Sequence, residues 1–103
     1  MKKKSKFLYV GKGIPKTDNF CSPIKGAPNS NIDFYYKADG RFHRRRKIGK
    51  HGRAIKDYDM PDVHKHSVRV HDYDASRRIE DREPTKKECQ EINKARKKRR
   101  FWR

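Results

Sequence analysis

Asp39-Gly40 constrains the fold of this chain more than any other dipeptide in it. Both positions accept positive φ, so between two strand-like segments they signal an antiparallel hairpin with a two-residue turn. The upstream segment, Ile32-Asp-Phe-Tyr-Tyr-Lys-Ala38, is rich in strand formers. Alternation places Ile32, Phe34, Tyr36 and Ala38 on one face. The returning strand is expected over Arg41–Ile48. Phe42 and Ile48 fall on one parity, while Arg41, His43, Arg45 and Lys47 form a cationic strip on the other. Gly49 to Gly52 turns the chain again. Arg53–Met60 reads as a third strand and Ser67–Tyr73 as a fourth, separated by Pro61, which cannot donate to a sheet ladder. Within the fourth strand, His71 lies on the parity opposite Val68 and Val70, so it is expected to face a cleft or solvent. A turn of helix is allowed over Ala75–Asp81.

The C-terminal part reads as a helix. Thr85-Lys-Lys-Glu88 has the form of a capping box, in which the Thr85 hydroxyl accepts from the amide of Glu88 and Glu88 reaches back. Cys89, Ile92 and Ala95 supply a narrow apolar stripe. Residues 1–31 contain Gly11, Gly13, Pro15, Pro23, Gly26 and Pro28, which break regular structure, so they read as an arm in which Phe7–Val10 is a candidate edge strand. The expected fold class is α+β: a small antiparallel sheet of three to four strands with a C-terminal helix and basic, partly disordered arms. The expected division is an arm over 1–31, a domain over 32–95 and a basic tail over 96–103.

Charge narrows the function classes. A net charge of +17 on 103 residues, with only 31% hydrophobic residues, opposes compaction and favours a polyanionic partner. The balance is uneven. Residues 61–84 carry five bases and six acids, and strongly basic stretches lie on either side. No apolar run approaches the length of a membrane span, and no basic stretch has the broad apolar helical face that membrane-surface binding needs. Two cysteines, Cys21 and Cys89, form no metal-finger spacing and no disulfide framework, which points to a reducing, cytoplasmic setting.

Gly49 to Tyr73 concentrates the chemistry. His51, His64, His66 and His71 are interleaved with Asp57, Asp59, Asp62 and Asp72. Histidine works as an acid or a base near neutral pH. RNA cleavage through the ribose 2′-hydroxyl needs a base, an acid and a cation on the phosphate, and no cofactor. His66 and His71 suit the acid–base pair, with Arg53, Lys56 or Arg69 near the phosphate. Asp57 is a candidate to orient a histidine; alternatively Asp57 and Asp59 pair with arginines of adjacent strands. His64, His66 and His71, with Asp62 or Asp72, also form a candidate zinc set, but His-x-His alone is a weak signal. The basic residues Arg41, Arg44, Arg45, Arg46, Lys47, Arg53 and Arg69 suit phosphate contacts. Trp102, beside Phe101 in the basic tail, suits stacking on unpaired bases.

Several of these motifs carry a family resemblance. Ala38-Asp-Gly-Arg41, Gly52-Arg-Ala-Ile-Lys-Asp-Tyr-Asp59, the pair His64 and His66, Val70-His-Asp-Tyr73 and Arg82-Glu-Pro-Thr85 resemble the type 24 nuclease modules of bacterial polymorphic toxins. The resemblance covers about half the chain, from Asp39 to Thr85. It implies a compact toxin domain with a small sheet, ribonuclease activity and a cognate immunity protein. Residue by residue it carries over Lys56, Asp57, Asp59, His64, His66, His71 and Asp72 as site candidates. The chain departs from the family pattern in its basic N-terminal arm and in starting without a delivery module, which suggests a free-standing relative of prophage origin.

Two functions are therefore expected to compete. One is a metal-independent, toxin-type ribonuclease acting on RNA such as tRNA, with an acidic immunity partner. The other is a non-catalytic RNA- or DNA-binding protein of phage or ribosomal type. Catalysis needs particular histidines, whereas binding needs only charge.

Overall fold

A computed structural model describes residues 6–14, 23–61, 67–75 and 77–99. Six strands and one helix follow in order: β1 (Phe7–Val10), β2 (Asn31–Tyr36), β3 (Phe42–Ile48), β4 (Ala54–Asp59), β5 (Arg69–Asp74), β6 (Arg77–Arg78) and α1 (Lys86–Arg99). The strands form one antiparallel meander in which each pairs with its neighbour in sequence. This corrects the expected sheet of three to four strands: the fold is mostly β, with six strands and a single C-terminal helix.

The two extra strands have separate causes. Phe7–Val10 is apolar and aromatic, and it pairs along its whole length with β2, from Phe7 opposite Tyr36 to Val10 opposite Asp33. β6 is only two residues long and highly charged, so it lacks the alternation by which strands are recognised. It lies where a helical turn was expected. Ala75 adopts φ 49°, in the left-handed region, and lets β5 reverse tightly into β6.

The first hairpin is also wider than two residues. Tyr36 donates its amide to the Arg41 carbonyl at 2.9 Å, and Gly40 donates to the Tyr36 carbonyl at 2.8 Å. The loop is thus Lys37 to Gly40, with Gly40 at φ 72°. A bulge follows, because Phe34 faces Arg44 while Tyr35 faces Phe42. A second bulge in β4 sets Lys47 opposite Lys56 but Ile48 opposite Ala54, leaving Ile55 out of the ladder and exposed.

The parts of the expected arm that are described are built into the sheet. Gly26 donates to the Gly52 carbonyl, Asn29 to that of Gly49, and Ala54 to that of Ile24. Pro23 is fully buried. These contacts hold residues 23–30 against the β3–β4 turn, so this part belongs to the domain.

Two cores result, one on each side of the sheet. The helix face packs Tyr58, Met60 and Val70 under Ile92 of α1, with Phe42 and Val68 at the margin. The far face packs Ile32, Phe34, Ile48 and Ala54, with Phe7, Tyr9, Ile14 and Tyr73 around them. The capping box forms as expected: the Glu88 amide donates to Thr85 Oγ1 at 3.2 Å, and the Thr85 amide to Glu88 Oε1 at 2.8 Å. The buried stripe of α1 is Glu88, Ile92 and Ala95, with Cys89 at its edge. No helix among the described residues is long and apolar enough to cross a membrane.

Candidate functional site

Strand alternation divides the site candidates between the two faces. Asp57 pairs across β4–β5 with His71, and Lys56 pairs with Asp72. Adjacent residues of a strand point to opposite sides. Asp57, Asp59 and His71 therefore share the far face, and Lys56 and Asp72 share the helix face. His64 and His66 lie outside the described residues, as do Asp62 and Trp102.

On the far face the cross-strand register sets Arg46 opposite Asp57 and Arg44 opposite Asp59. Asp57 is fully buried. Its Oδ1 accepts from Arg46 Nε at 2.8 Å. Its Oδ2 accepts from Arg46 Nη2 at 2.9 Å, Tyr73 Oη at 2.8 Å and Arg78 Nε at 3.1 Å. Arg46 also donates from Nη1 to the Pro23 carbonyl at 2.9 Å. Burial pulls the Arg46 guanidinium down in pKa, but the bonds it donates to Asp57 and that residue's charge outweigh burial and raise it above its ordinary value. Burial and the neighbouring Asp57 push the Tyr73 hydroxyl up to about 12. Such a pair is fixed by geometry: the buried charges are matched and both carboxylate oxygens accept hydrogen bonds.

Asp59 is also buried, and it accepts from Arg44 Nε and from Arg78 Nη2, both at 2.5 Å. Burial alone would raise its carboxyl, but Arg44 and Arg78 hold it below the usual carboxylate range. His71 completes the group. Its Nδ1 lies 2.7 Å from the Ile79 carbonyl, which can only accept, so Nδ1 carries a proton. Its Nε2 lies 3.4 Å from Asp59 Oδ2, is buried and has no hydrogen-bond partner. The His71 side chain is 12% exposed, so it faces a polar interior rather than solvent. Three arginines and a histidine here surround two carboxylates.

A second polar network ties α1 to the helix face. Arg82 bridges Asp72, through Nε at 2.6 Å, and Glu88, through Nη1 at 2.8 Å. Lys56 Nζ donates to Glu88 Oε2 at 2.5 Å. Tyr58 Oη donates to Glu91 Oε2 at 3.0 Å, and Lys47 is paired with the same carboxylate. Arg82, Lys56 and the Thr85 amide hold the Glu88 carboxyl far below its ordinary value. Arg82 likewise lowers Asp72. Lys56 and Asp72 thus anchor the helix.

The expected cationic strip is divided in the same way. Arg45 and Lys47 point to the helix face, where Arg45 grips Asp33 through bonds of 2.8 and 2.9 Å. The β2–β3 bulge turns His43 to the far face, where it stacks on Phe7 with ring centroids 4.6 Å apart. Arg69 is paired with Asp81 at 2.9 Å. Arg41 and Arg53 are exposed.

Arg78, Arg82 and Tyr73 were not singled out from the sequence. A tight β5–β6 reversal without glycine or asparagine conceals Arg78. Val70-His-Asp-Tyr73 does contain Tyr73, two residues from His71 and hence on the same face. Among the described residues, no group of three His, Cys, Asp or Glu stands close enough to hold a metal ion. Protein-family models, curated proteins and solved structures give no match to the chain.

Proposed function

We propose that this protein binds nucleic acid through charge that the fold leaves at its periphery. The observation that carries this is the partition of its ions. The buried and half-buried acids of the sheet, Asp33, Asp57, Asp59 and Asp72, and the two acids of the helix, Glu88 and Glu91, are engaged with cations of the same molecule. The surplus of +17 therefore falls largely on exposed side chains such as Lys6, Lys12, Lys25, Lys37, Lys50, Arg77, Lys86, Lys94 and Arg96. Phosphate contacts of this kind release counterions, so affinity should fall steeply as salt rises. Fluorescence anisotropy with a labelled RNA in a salt series tests it. Affinity unchanged between low and high salt would overturn the electrostatic basis. The setting in this proposal is the cytoplasm, where RNA is abundant and the Cys89 thiol stays reduced.

A second reading, toxin-type RNA cleavage, is favoured by one atom. An unpartnered buried nitrogen costs free energy, and such groups call for an explanation. His71 Nε2 is one, on a ring whose orientation the Ile79 carbonyl sets and beside Arg44 and Arg78. This role requires RNA binding to expose Nε2, which is buried here; Nε2 then takes the proton of a 2′-hydroxyl, and an arginine carries charge on the phosphate. An acidic immunity protein would compete with RNA for the same exposed cations. Single-turnover cleavage of a mixed tRNA pool by wild type and His71→Ala decides it. Loss of an acid–base group lowers the rate about 10²–10⁴-fold. Equal cleavage by both proteins would remove His71 from the chemistry, and binding without cleavage by wild type would leave a non-catalytic binder.

A further inference from the structure

The helix covers only part of its face of the sheet. Ile92 and Ala95 are buried on the side of α1 that meets Tyr58, Met60 and Val70. Toward β1 and β2 the described residues leave this face of the sheet uncovered. Leu8 and Val10, on the same face by their pairing with Tyr35 and Asp33, are 53% and 48% exposed. The result is an open groove of about 1780 Å³ between β1–β3 and the C-terminal half of α1.

Three features of the groove point to one occupant. Its floor offers ring surface: Tyr35 and Phe42 are half-buried, with centroids 5.5 Å apart and planes inclined by 37°. Its rims are cationic on both sides, with Lys37 and Arg41 from the β2–β3 loop and Arg96 and Lys97 from the helix. All four are exposed. Among the described residues one acid lines it: Asp39 accepts from the Arg41 backbone amide at 2.9 Å and lies 3.8 Å from the Arg41 guanidinium, so it offsets only part of that rim's charge. Aromatic floor and cationic rims are the combination that holds unpaired bases by stacking and their phosphates by charge. A neutral or basic protein partner would meet net positive charge on both rims.

We propose that this groove binds single-stranded nucleic acid, with bases against Tyr35 and Phe42 and phosphates along Lys37, Arg41, Arg96 and Lys97. The proposal rests on the nucleic-acid-binding function above and places it in the fold. It is separate from His71, which lies on the opposite side of the sheet.

The test uses the full chain and a 12-nucleotide RNA carrying 2-aminopurine, whose emission falls when the base stacks. Anisotropy of an end-labelled copy of the same RNA reports binding. Wild type should bind and quench. Tyr35→Leu and Phe42→Leu keep apolar bulk but remove a ring; each should weaken binding about tenfold and reduce the quench. Arg96→Ala with Lys97→Ala should lower the salt slope by about 1–2, whereas Gln90→Ala, exposed on α1 but outside the groove, should leave binding and quench unchanged. Circular dichroism melts check that each variant is folded. If wild type binds but folded groove variants bind and quench equally well, the groove is wrong and the binding function stands. Binding without any quench in wild type overturns the stacked placement. Unchanged RNA binding with altered sedimentation of the groove variants assigns the surface to a second copy of the chain. If wild type does not bind at low salt, the function and the groove fall together.

Discussion

The two faces of the sheet bury charge in different ways. On the far face, Asp57 and Arg46 lie in the sheet itself, held by cross-strand pairing and by a carbonyl of the segment packed above. On the helix face, Lys56, Asp72, Arg82 and Glu88 join the sheet to an element that arrives from elsewhere in the chain. Charge within a sheet is matched by register, so a single removal strands its partner. Charge between elements acts as a fastening, and losing it loosens a joint that apolar packing also maintains. The far face should therefore be the less forgiving of the two.

Asp57→Ala sets the upper end of that scale. It leaves Arg46, 3% exposed, without its counter-charge, and breaking a buried pair from one side costs about 3–5 kcal/mol. For a domain with roughly 5–15 kcal/mol in all, urea denaturation should show a large loss or no folded state. A cost below that of the helix-face variants would reverse the comparison.

Ile92→Ala comes next. Ile92 is 2% exposed and is the apolar centre of the contact of α1 with the sheet. Truncation should cost about 2–4 kcal/mol by the same measurement, and loss of helical circular dichroism before loss of the sheet signal would show that the fastening fails first.

Glu88→Gln should cost about 1–3 kcal/mol at neutral pH, since charged hydrogen bonds to Arg82 and Lys56 are lost. Its pH dependence sharpens the point. A carboxyl held below its ordinary pKa of 4.5 stabilises the fold above that pH, and the contribution is lost as pH falls toward the lowered folded value. Wild-type stability should thus be flat near neutrality and decline below about pH 4.5, with a shallower decline in the variant. An equal slope in both would assign acid sensitivity to the other lowered carboxylates, Asp59 on the far face and Asp72 and Glu91 on the helix face.

Arg69→Ala gives the smallest effect. Its pair with Asp81 lies at the surface, with side chains 26% and 33% exposed, and such pairs contribute about 0–1 kcal/mol. A loss above 2 kcal/mol would mean that the far-face network extends to the sheet margin.

What was legible in the sequence follows the same division. The capping box at Thr85 and Glu88, the strands β2 to β5 and the opposite facing of Val70 and His71 all follow from local spacing, and they are present. The two bulges were not legible, because each depends on how one strand meets another. The bulge between Phe34 and Tyr35 turns His43 away from Arg45 and splits the expected cationic strip. Asp57 and Asp59 offered two alternatives, and only the register of β3 against β4 sets Arg46 and Arg44 opposite them. The expectation that His71 faces a cleft or solvent failed for a related reason. Arg78 is brought to the far face, onto Asp57 and Asp59, by a hairpin without a turn signature.

The meander order also bears on how the molecule is made. Because each strand pairs with the one before it, most pairing closes over short stretches of chain, which favours rapid folding. A ribosome delivering this chain would release β3 and β4 together before β5, so Arg46 meets Asp57 early. Arg78, the last donor to Asp57, follows it by 21 residues. Until then Asp57 has only part of its final set of donors. The helix emerges later still, so the groove it borders takes shape only after the sheet strands have been delivered.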